Sequence, residues 1–306
     1  MADPCDIPKS PENTSETPHE RGESKKLREK IDQYRAENNN MSLSMFLKKV
    51  GFSSEREEFG ARLKSISEFI KGTRRLDHHI RIKSIAFLNK EYSEFNFDPL
   101  ESHFYEDQKS KCGHHYKSLL NFHNIKPDRI NELSQQISGR FLLYKKPVNP
   151  LKKNLILRSY INIFVANEHS DKEKFLMAAE YQKAVFNSKE IGTYTSHDFY
   201  VGCCVKKDGS IVLAMRQLYD GAMKTSYFDN IDKDQPDMKL TLAHGETIET
   251  CDGYTSGRLA TSKTSIRRIP NDFTFGQIDA LIDDVPKDRV DDIIVNHVLG
   301  EDSKSL

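Results

Sequence analysis

This 306-residue chain has no long apolar run and no paired cysteines. Its five cysteines are scattered, with no C-x-x-C pair and no disulfide-framework spacing, so free thiols in a reducing cytoplasm are expected. No window approaches the roughly 18 to 20 apolar residues that a bilayer crossing needs, so no membrane partner is predicted. Hydrophobic residues make up 37% of the chain and charged residues 30%, which indicates that part of it stays outside any core.

The motifs of several large enzyme classes are also missing. The chain contains no G-x-x-x-x-G-K-[ST], G-x-G-x-x-G, G-x-S-x-G or H-E-x-x-H string. One segment, "KCGHHY", groups Cys112, His114 and His115, but it lacks the second cysteine and the ligand spacing of a zinc site. We therefore predict no catalytic residues, no cofactor and no metal site, and we interpret this segment as a solvated linker.

Local patterns predict an α+β fold in five segments. Residues 1–23 carry four prolines and almost no apolar side chains, so a disordered tail is expected. Residues 24–92 are predicted to form an all-helical, helix-turn-helix-like domain, and residues 93–138 a linker with short helices. Residues 139–275 are predicted to form an antiparallel β-rich domain, either a curled sheet or a small barrel. Residues 276–306 form an acidic C-terminal segment.

Capping and turn residues support these assignments. Ser42 is a plausible N-cap, Gly51 can end the helix that follows, and Gly72 can end the next one. Further along, Asp208-Gly209 separates two apolar runs, which predicts a β-hairpin. Cys203 and Cys204 are neighbours in the first run. Because adjacent strand residues point to opposite faces, one thiol is expected in the core and the other half-exposed.

Charge is distributed unevenly, although the formal net charge is zero. Met41–Lys90 carries 11 Lys/Arg against 5 Asp/Glu, whereas Gln277–Leu306 carries 3 Lys/Arg against 8 Asp/Glu. A basic N-terminal third with an acidic tail is a common layout for a nucleic-acid-binding protein. Two solvated faces of opposite sign would produce the same distribution, so charge alone leaves both readings open.

Two strings resemble the helix-turn-helix of lambda-repressor-like (XRE-type) regulators. "SLSMFLKKVG", Ser42 to Gly51, is similar to the first helix of that motif, and "SISEFIKGTRRL", Ser65 to Leu76, resembles the end of its recognition helix. Ser65 lies 14 residues after Gly51, farther than in the family. Either the turn carries an insertion or the recognition helix is extended at its N-terminus. The resemblance implies double-stranded DNA as the partner.

The residues expected to contact DNA lie at the end of this second helix and in the turn after it. Lys71, Arg74 and Arg75 are expected to neutralise phosphates. Arg62, Lys64 and Ser67 lie off the apolar face and are expected to reach base edges. The complete predicted set is Arg62, Lys64, Ser65, Ser67, Lys71, Thr73, Arg74 and Arg75.

These observations together predict a cytoplasmic, bacterial-type DNA-binding transcriptional regulator. Its β-rich domain would sense a small-molecule effector, form a homodimer or bind a partner protein. Two alternatives stay open. One is an enzyme whose β-rich domain gathers groups such as His197, Asp198, His244 and Glu246 in a pocket. The other is a non-catalytic protein-interaction adaptor.

Overall fold

A computed structural model defines the fold. The structure describes residues 18–52, 54, 58–74, 76–92, 98, 100, 106–123, 130–147, 155–167, 174–188, 192–207, 209–218, 222–229, 239–251, 258–282 and 284–300. The chain divides into two compact units, residues 1–81 and residues 82–306. The division falls inside a helix, so the two units are continuous along the chain.

The first unit is helical. Its helices are α1 (Pro18–Glu37), α2 (Leu43–Lys49), α3 (Phe59–Ile70) and the beginning of α4 (His78–Glu91). Helix α1 begins inside the stretch predicted to be disordered, and residues 1–17 lie outside the described residues.

The capping predictions for this unit are confirmed. The Ser42 side chain accepts a hydrogen bond from the Met45 backbone N–H at 3.2 Å, which caps α2. The two glycines that were expected to end α2 and α3 adopt positive φ angles, +96° at Gly51 and +73° at Gly72. Both angles lie in the left-handed region, which glycine adopts without steric penalty.

One apolar core holds these helices together. Tyr34 on α1 and Phe46 on α2 meet edge to face, with ring centroids 6.0 Å apart. The Arg28 guanidinium on α1 lies 5.3 Å from the centroid of the Phe69 ring on α3. The buried apolar side chains of the unit include Leu27, Ile31, Tyr34, Phe46, Leu47, Phe52, Phe59, Ile66, Phe69, Leu76 and Ile80.

The second unit mixes helices and strands. After the rest of α4 come α5 (Glu106–His123), α6 (Ile130–Ile137), β1 (Gly139–Lys145), β2 (Leu155–Asn167), β3 (Lys174–Ser188), β4 (Gly192–Lys207), β5 (Ser210–Gln217), β6 (Met223–Asp229), β7 (Leu242–Cys251), β8 (Arg258–Arg268), α7 (Phe275–Leu281), β9 (Asp284–Pro286), a 3-10 turn (Lys287–Arg289) and α8 (Asp292–Leu299). The predicted hairpin is β4–β5, and Gly209 at its turn has a φ of +89°.

Strands β1 to β8 close into an antiparallel barrel. Each strand pairs with the next along the chain, and β8 returns to pair with β1, which also pairs with β2. Strand β9 lies outside this circuit and pairs with the beginning of β2. Closure leaves no unpaired edge among the eight strands. An eight-stranded barrel has an interior just wide enough to be filled by side chains or to hold one small ligand.

Helices cover the outside of the barrel and close one end. On the outer face, Tyr116 of α5 packs on Phe175, with ring centroids 5.7 Å apart, and Phe275 of α7 packs on Tyr181 at 5.8 Å. Helix α6 precedes β1, and its residues Leu133 and Ile137 join the buried cluster formed by the inner side chains of the strands. Helix α6 therefore closes the end of the barrel at which β1 begins.

The predicted fold class is wrong. The sequence predicted an all-helical domain, then a helical linker, then a separate β-rich domain. Instead the division between compact units lies within α4, and helices α5, α6, α7 and α8 belong to the same unit as the barrel. Helices and barrel are interleaved because the closed sheet buries apolar side chains on its outer face too, and these need helices to cover them.

Candidate functional sites

The predicted recognition helix corresponds to α3, which begins six residues before Ser65. Its residues Phe59, Ile66 and Phe69 are buried and face the core of the unit. Lys64 lies away from that face, and its side chain is 75% exposed. The structure therefore extends this helix toward its N-terminus and also leaves several residues between Gly51 and its first turn.

The turn after α3 presents exposed basic side chains around one carboxylate. Lys71, Thr73 and Arg74 are exposed. The Arg74 guanidinium lies 3.3 Å from Glu68 Oε2, and Lys64 Nζ lies 4.0 Å from Glu68 Oε1. The Thr73 hydroxyl donates to the Glu68 carbonyl at 3.0 Å, which fixes the turn. Arg75 was predicted to lie in the same group, but it falls outside the described residues.

Three of the predicted DNA contacts are engaged inside their own unit. Arg62 pairs with Glu58, and its guanidinium lies 5.0 Å from the centroid of the Phe52 ring. The Ser65 hydroxyl accepts a hydrogen bond from the Asp77 backbone N–H at 3.4 Å. Ser67 is half-buried. The exposed members of the predicted set are therefore Lys64, Lys71, Thr73 and Arg74.

The interior of the barrel is a second candidate site, which the sequence did not predict. Strand pairing determines which residues share its inner face, because directly paired residues point to the same side of a sheet. Ile161 pairs with Glu180, Glu180 with Tyr200, and Tyr200 with Gln217, so all four residues face the interior. Near α6 this face is apolar, with Phe141, Leu143, Ile161, Ile163, Leu176, Leu213, Phe228 and Ile266 among its buried residues.

The other half of the interior is polar; we call it the polar half. It contains two buried ion pairs. Lys224 Nζ lies 2.5 Å from Glu180 Oε1, and both side chains are 0% exposed. Lys145 Nζ lies 2.5 Å from Glu249 Oε2. Buried hydroxyls and amides surround these pairs: Ser159, Gln182, Gln217, Ser226, Thr247 and Thr264.

Burial and charge shift the pKa values of this network in opposite senses. Burial lowers the pKa of Lys224 from its ordinary value, although the Glu180 carboxylate offsets part of that effect. Burial alone would raise the pKa of Glu249. The neighbouring Lys145 and Lys224 outweigh burial and hold that pKa below its usual range. The neighbouring ammonium groups therefore favour the charged form of Glu249, whereas burial disfavours the charged form of Lys224.

Three polar atoms facing this interior have no hydrogen-bond partner in the part of the chain that the structure describes. They are Glu180 Oε2, Gln182 Oε1 and Ser262 Oγ. Buried polar atoms are normally paired, and each unpaired one costs about 1–3 kcal/mol. By strand pairing, Ser262 lies opposite Thr247 and therefore belongs to the same inner face. The hydrogen-bonding capacity of these three atoms is therefore unmet among the described residues.

Sequence patterns could have revealed part of the polar half. Glu180 follows the buried run "FLMAA" in β3, and it occupies a position in phase with the buried residues Leu176 and Ala178. A carboxylate at such a position indicates a buried charge in need of a partner. The partner, Lys224, is three strands away around the barrel, and no local pattern connects the two residues.

Of the four groups named for a catalytic pocket, the three whose side chains are described do not come together. Asp198 pairs with Gln182 and faces the barrel interior. His244 and Glu246 lie on the opposite, outer face of β7, where His244 Nδ1 is 2.7 Å from the Ser265 hydroxyl. The side chain of His197 lies outside the described residues. The expected pocket is thus divided by the wall of the barrel.

The cysteine prediction is also wrong. Cys203 and Cys204 are both fully buried, because α5 covers the outer face of β4 while Cys204 points into the barrel. Burial raises the pKa of both thiols, and a raised pKa disfavours the reactive thiolate. Cys112, on α5, is likewise buried. Because all three are buried, these thiols act as small apolar groups in the core.

Within the described ranges, no cluster of three or more His, Cys, Asp or Glu side chains has the arrangement of a metal site. In the same part of the chain, no helix is both long enough and apolar enough to span a membrane. No family model, curated protein or solved structure matches this chain.

Proposed function

We propose that this chain is a DNA-binding transcriptional regulator whose barrel binds a small-molecule effector. The observation that carries the DNA-binding half is the exposed basic group formed by Lys64, Lys71 and Arg74 at the end of a helix whose other face is buried. Because its apolar face is already buried, this helix can dock on a duplex without exposing the core of the unit. Lysine and arginine at its end would then neutralise phosphates and release counterions.

Contacts within the first unit refine which residues would bind DNA. Lys64, Lys71 and Arg74 are exposed, and Lys64 and Arg74 would exchange the Glu68 carboxylate for a phosphate. Arg62 would first have to leave Glu58 and the Phe52 ring, so we assign it a positioning role for α3. Arg75 stays a proposed phosphate contact. Ser65, Ser67 and Thr73 lie beside the basic group, and we propose that they would support its contacts with DNA.

The barrel would supply the sensing half of the function. An eight-stranded barrel can hold one small ligand. The polar half carries acceptors that have no partner among the described residues and that a ligand would satisfy. Binding there would act on DNA affinity only if the ligand favours one arrangement of the protein over another. A homodimer would place two basic groups on successive half-sites of an operator.

The test of the DNA-binding half is capture of genomic fragments by the purified chain across a salt series. A triple variant, Lys71→Ala, Arg74→Ala and Arg75→Ala, should bind more weakly and show a shallower dependence on salt, because three phosphate contacts are removed. The matched control removes three exposed cations from the second unit: Lys239→Ala, Lys287→Ala and Arg289→Ala.

A discrete enriched sequence that the control variant still binds and the triple variant loses would support the proposal. Folded wild-type protein that retains no DNA at low salt would overturn it. Equal loss in both triple variants would also overturn it, because binding would then depend on overall charge and not on the end of α3.

A further inference from the structure

The unpaired atoms of the polar half determine which chemistry a ligand must bring. A carboxylate oxygen only accepts hydrogen bonds, so Glu180 Oε2 can be satisfied only by a donor. Gln182 lies two residues further along β3, on the same inner face, and its Oε1 also lacks a partner among the described residues. Both residues are less than a tenth exposed. A molecule that fits here must present several N–H or O–H donors.

The groups around these acceptors favour a ligand whose hydrogen-bond donor carries a positive charge. Asp198 lies directly opposite Gln182 and accepts a hydrogen bond from Gln217 Nε2 at 3.2 Å. Tyr200 lies opposite Glu180 and offers an aromatic face, near which Lys224 Nζ already lies, 4.9 Å from the ring centroid. Carboxylates and aromatic faces both attract cations.

The local charge balance agrees with a cationic ligand. Glu180 and Asp198 contribute two negative charges near the unpaired acceptors, and Lys224 contributes one positive charge that is already paired with Glu180 Oε1. Both carboxylates would attract a donor that carries positive charge. An anionic ligand would face two carboxylates, and it would have to separate Lys224 or Lys145 from its partner to gain an attractive contact.

We infer that the polar half of the barrel binds a small organic ammonium ion, with its N–H groups donating to Glu180 Oε2 and Gln182 Oε1. The inference rests on the proposed function, since it names the ligand class of the effector site. The Ser262 hydroxyl, which can donate or accept, is available to a second polar group of the ligand.

Three probes of equal size test this inference by calorimetry on the full-length protein: n-butylammonium, 1-butanol and butyrate. They share a carbon chain and differ in charge and in hydrogen-bond donors. We expect saturable binding of butylammonium, and at least about tenfold weaker binding of butanol and butyrate, because only the ammonium ion supplies several charged donors.

Two variants locate the binding. Gln182→Met removes one acceptor with little change in volume and should weaken butylammonium binding by at least about tenfold, the effect of losing one hydrogen bond to a charged group. The double variant Glu180→Leu with Lys224→Met replaces the ion pair with apolar groups and should abolish binding while keeping the fold. Glu246→Gln, an exposed carboxylate on the outer face, is the control and should bind like wild type.

Outcomes separate this inference from the proposed function. Butylammonium that does not bind, binds no better than butanol, or still binds to the folded double variant would overturn the ligand class. Capture of DNA by the same preparations is measured in parallel. DNA retained without ammonium binding overturns only the inference, and ammonium binding without DNA retention overturns the DNA-binding half of the proposed function.

Discussion

Ion pairs of similar composition occur in two contrasting environments in this protein. At the end of α3, Arg74 and Glu68 lie 3.3 Å apart with side chains 64% and 30% exposed. Inside the barrel, Lys224 and Glu180 lie 2.5 Å apart, and both are 0% exposed. Exposed pairs contribute about 0–1 kcal/mol to stability, whereas removing one partner of a buried pair costs about 3–5 kcal/mol. The contribution of an ion pair to stability therefore depends on how far it is exposed to solvent.

The comparison also separates two uses of charge. An exposed cation such as Arg74 can exchange its carboxylate partner for a phosphate at little cost, which suits a binding surface. A buried pair such as Lys224 and Glu180 is retained although apolar residues would fill the same space without desolvating any charge. A binding role for the barrel interior would explain this retention.

The largest expected effect is on the buried pair. Glu180→Gln should destabilise the protein by about 3–5 kcal/mol, because it leaves the Lys224 ammonium buried without a charged partner. Replacing both residues, with Glu180→Leu and Lys224→Met, should be close to neutral or stabilising. Urea denaturation of the two variants measures the difference.

The control for this prediction is Glu246→Gln, which removes an exposed carboxylate and should change stability by no more than about 0.5 kcal/mol. If Glu180→Gln behaved like this control, the pair would not be buried as the structure places it. If the double variant were as unstable as Glu180→Gln, the volume of these side chains would matter more than their charge.

An intermediate effect is expected from acid. Lys145 and Lys224 outweigh burial and lower the pKa of Glu249 in the folded state. The ionised carboxylate therefore contributes stability that is fully present above its unfolded pKa of 4.5, and that contribution is lost as the pH falls through the lower folded value.

The measurement is the free energy of unfolding of wild type and Glu249→Gln between pH 7 and pH 3. The difference between the two proteins should be constant at neutral pH and should shrink below about pH 4.5, because the wild type then gains the proton that the amide mimics. A difference that stays the same across this range would contradict the assigned pKa direction.

The smallest effect on stability is expected at the exposed pair. Glu68→Gln should change the free energy of unfolding by less than about 1 kcal/mol. It should nevertheless raise DNA affinity by up to about fivefold, because a unit charge at about 4 Å in water is worth about 1 kcal/mol. The substitution removes the carboxylate that now competes with phosphate for Lys64 and Arg74.

The control for this prediction is Glu29→Gln on α1, whose carboxylate lies 3.8 Å from Lys25 Nζ and whose side chain is 63% exposed. Fluorescence anisotropy with a captured fragment should show tighter binding for Glu68→Gln than for Glu29→Gln. Equal affinities would mean that the end of α3 does not face the DNA.

Sequence patterns predicted local features of this fold better than its organisation. The Ser42 cap, the ends of α2 and α3 at Gly51 and Gly72, and the hairpin around Gly209 each depend on a few neighbouring residues, and each is present. The separation into a helical domain and a β-rich domain was wrong. The separation depends on whether helices distant in sequence pack on the barrel. Amphipathic periodicity shows that a helix has an apolar face, but it does not show which element that face packs against.

The two candidate sites differ in the same respect: one is formed by residues close in sequence and the other by residues far apart. The basic group at the end of α3 was predicted because its residues are contiguous, and the structure adds that Arg62 is engaged by Glu58 and Phe52. The polar half of the barrel was missed because Glu180 and Lys224 lie 44 positions apart. Glu180 alone indicates a buried charge, but Lys224, at the beginning of β6, resembles an ordinary charged residue.

The amino-acid sequence by itself determined the helices, the caps and the turns of this protein, since backbone preferences and capping hydrogen bonds act over only a few residues. Tertiary structure alone decided that eight strands close into a barrel, which requires β1 to pair with β8 more than a hundred residues later. Closure in turn chose which face of each strand is inside. That choice turned Lys145, Glu180, Lys224 and Glu249 from scattered charges into one buried network.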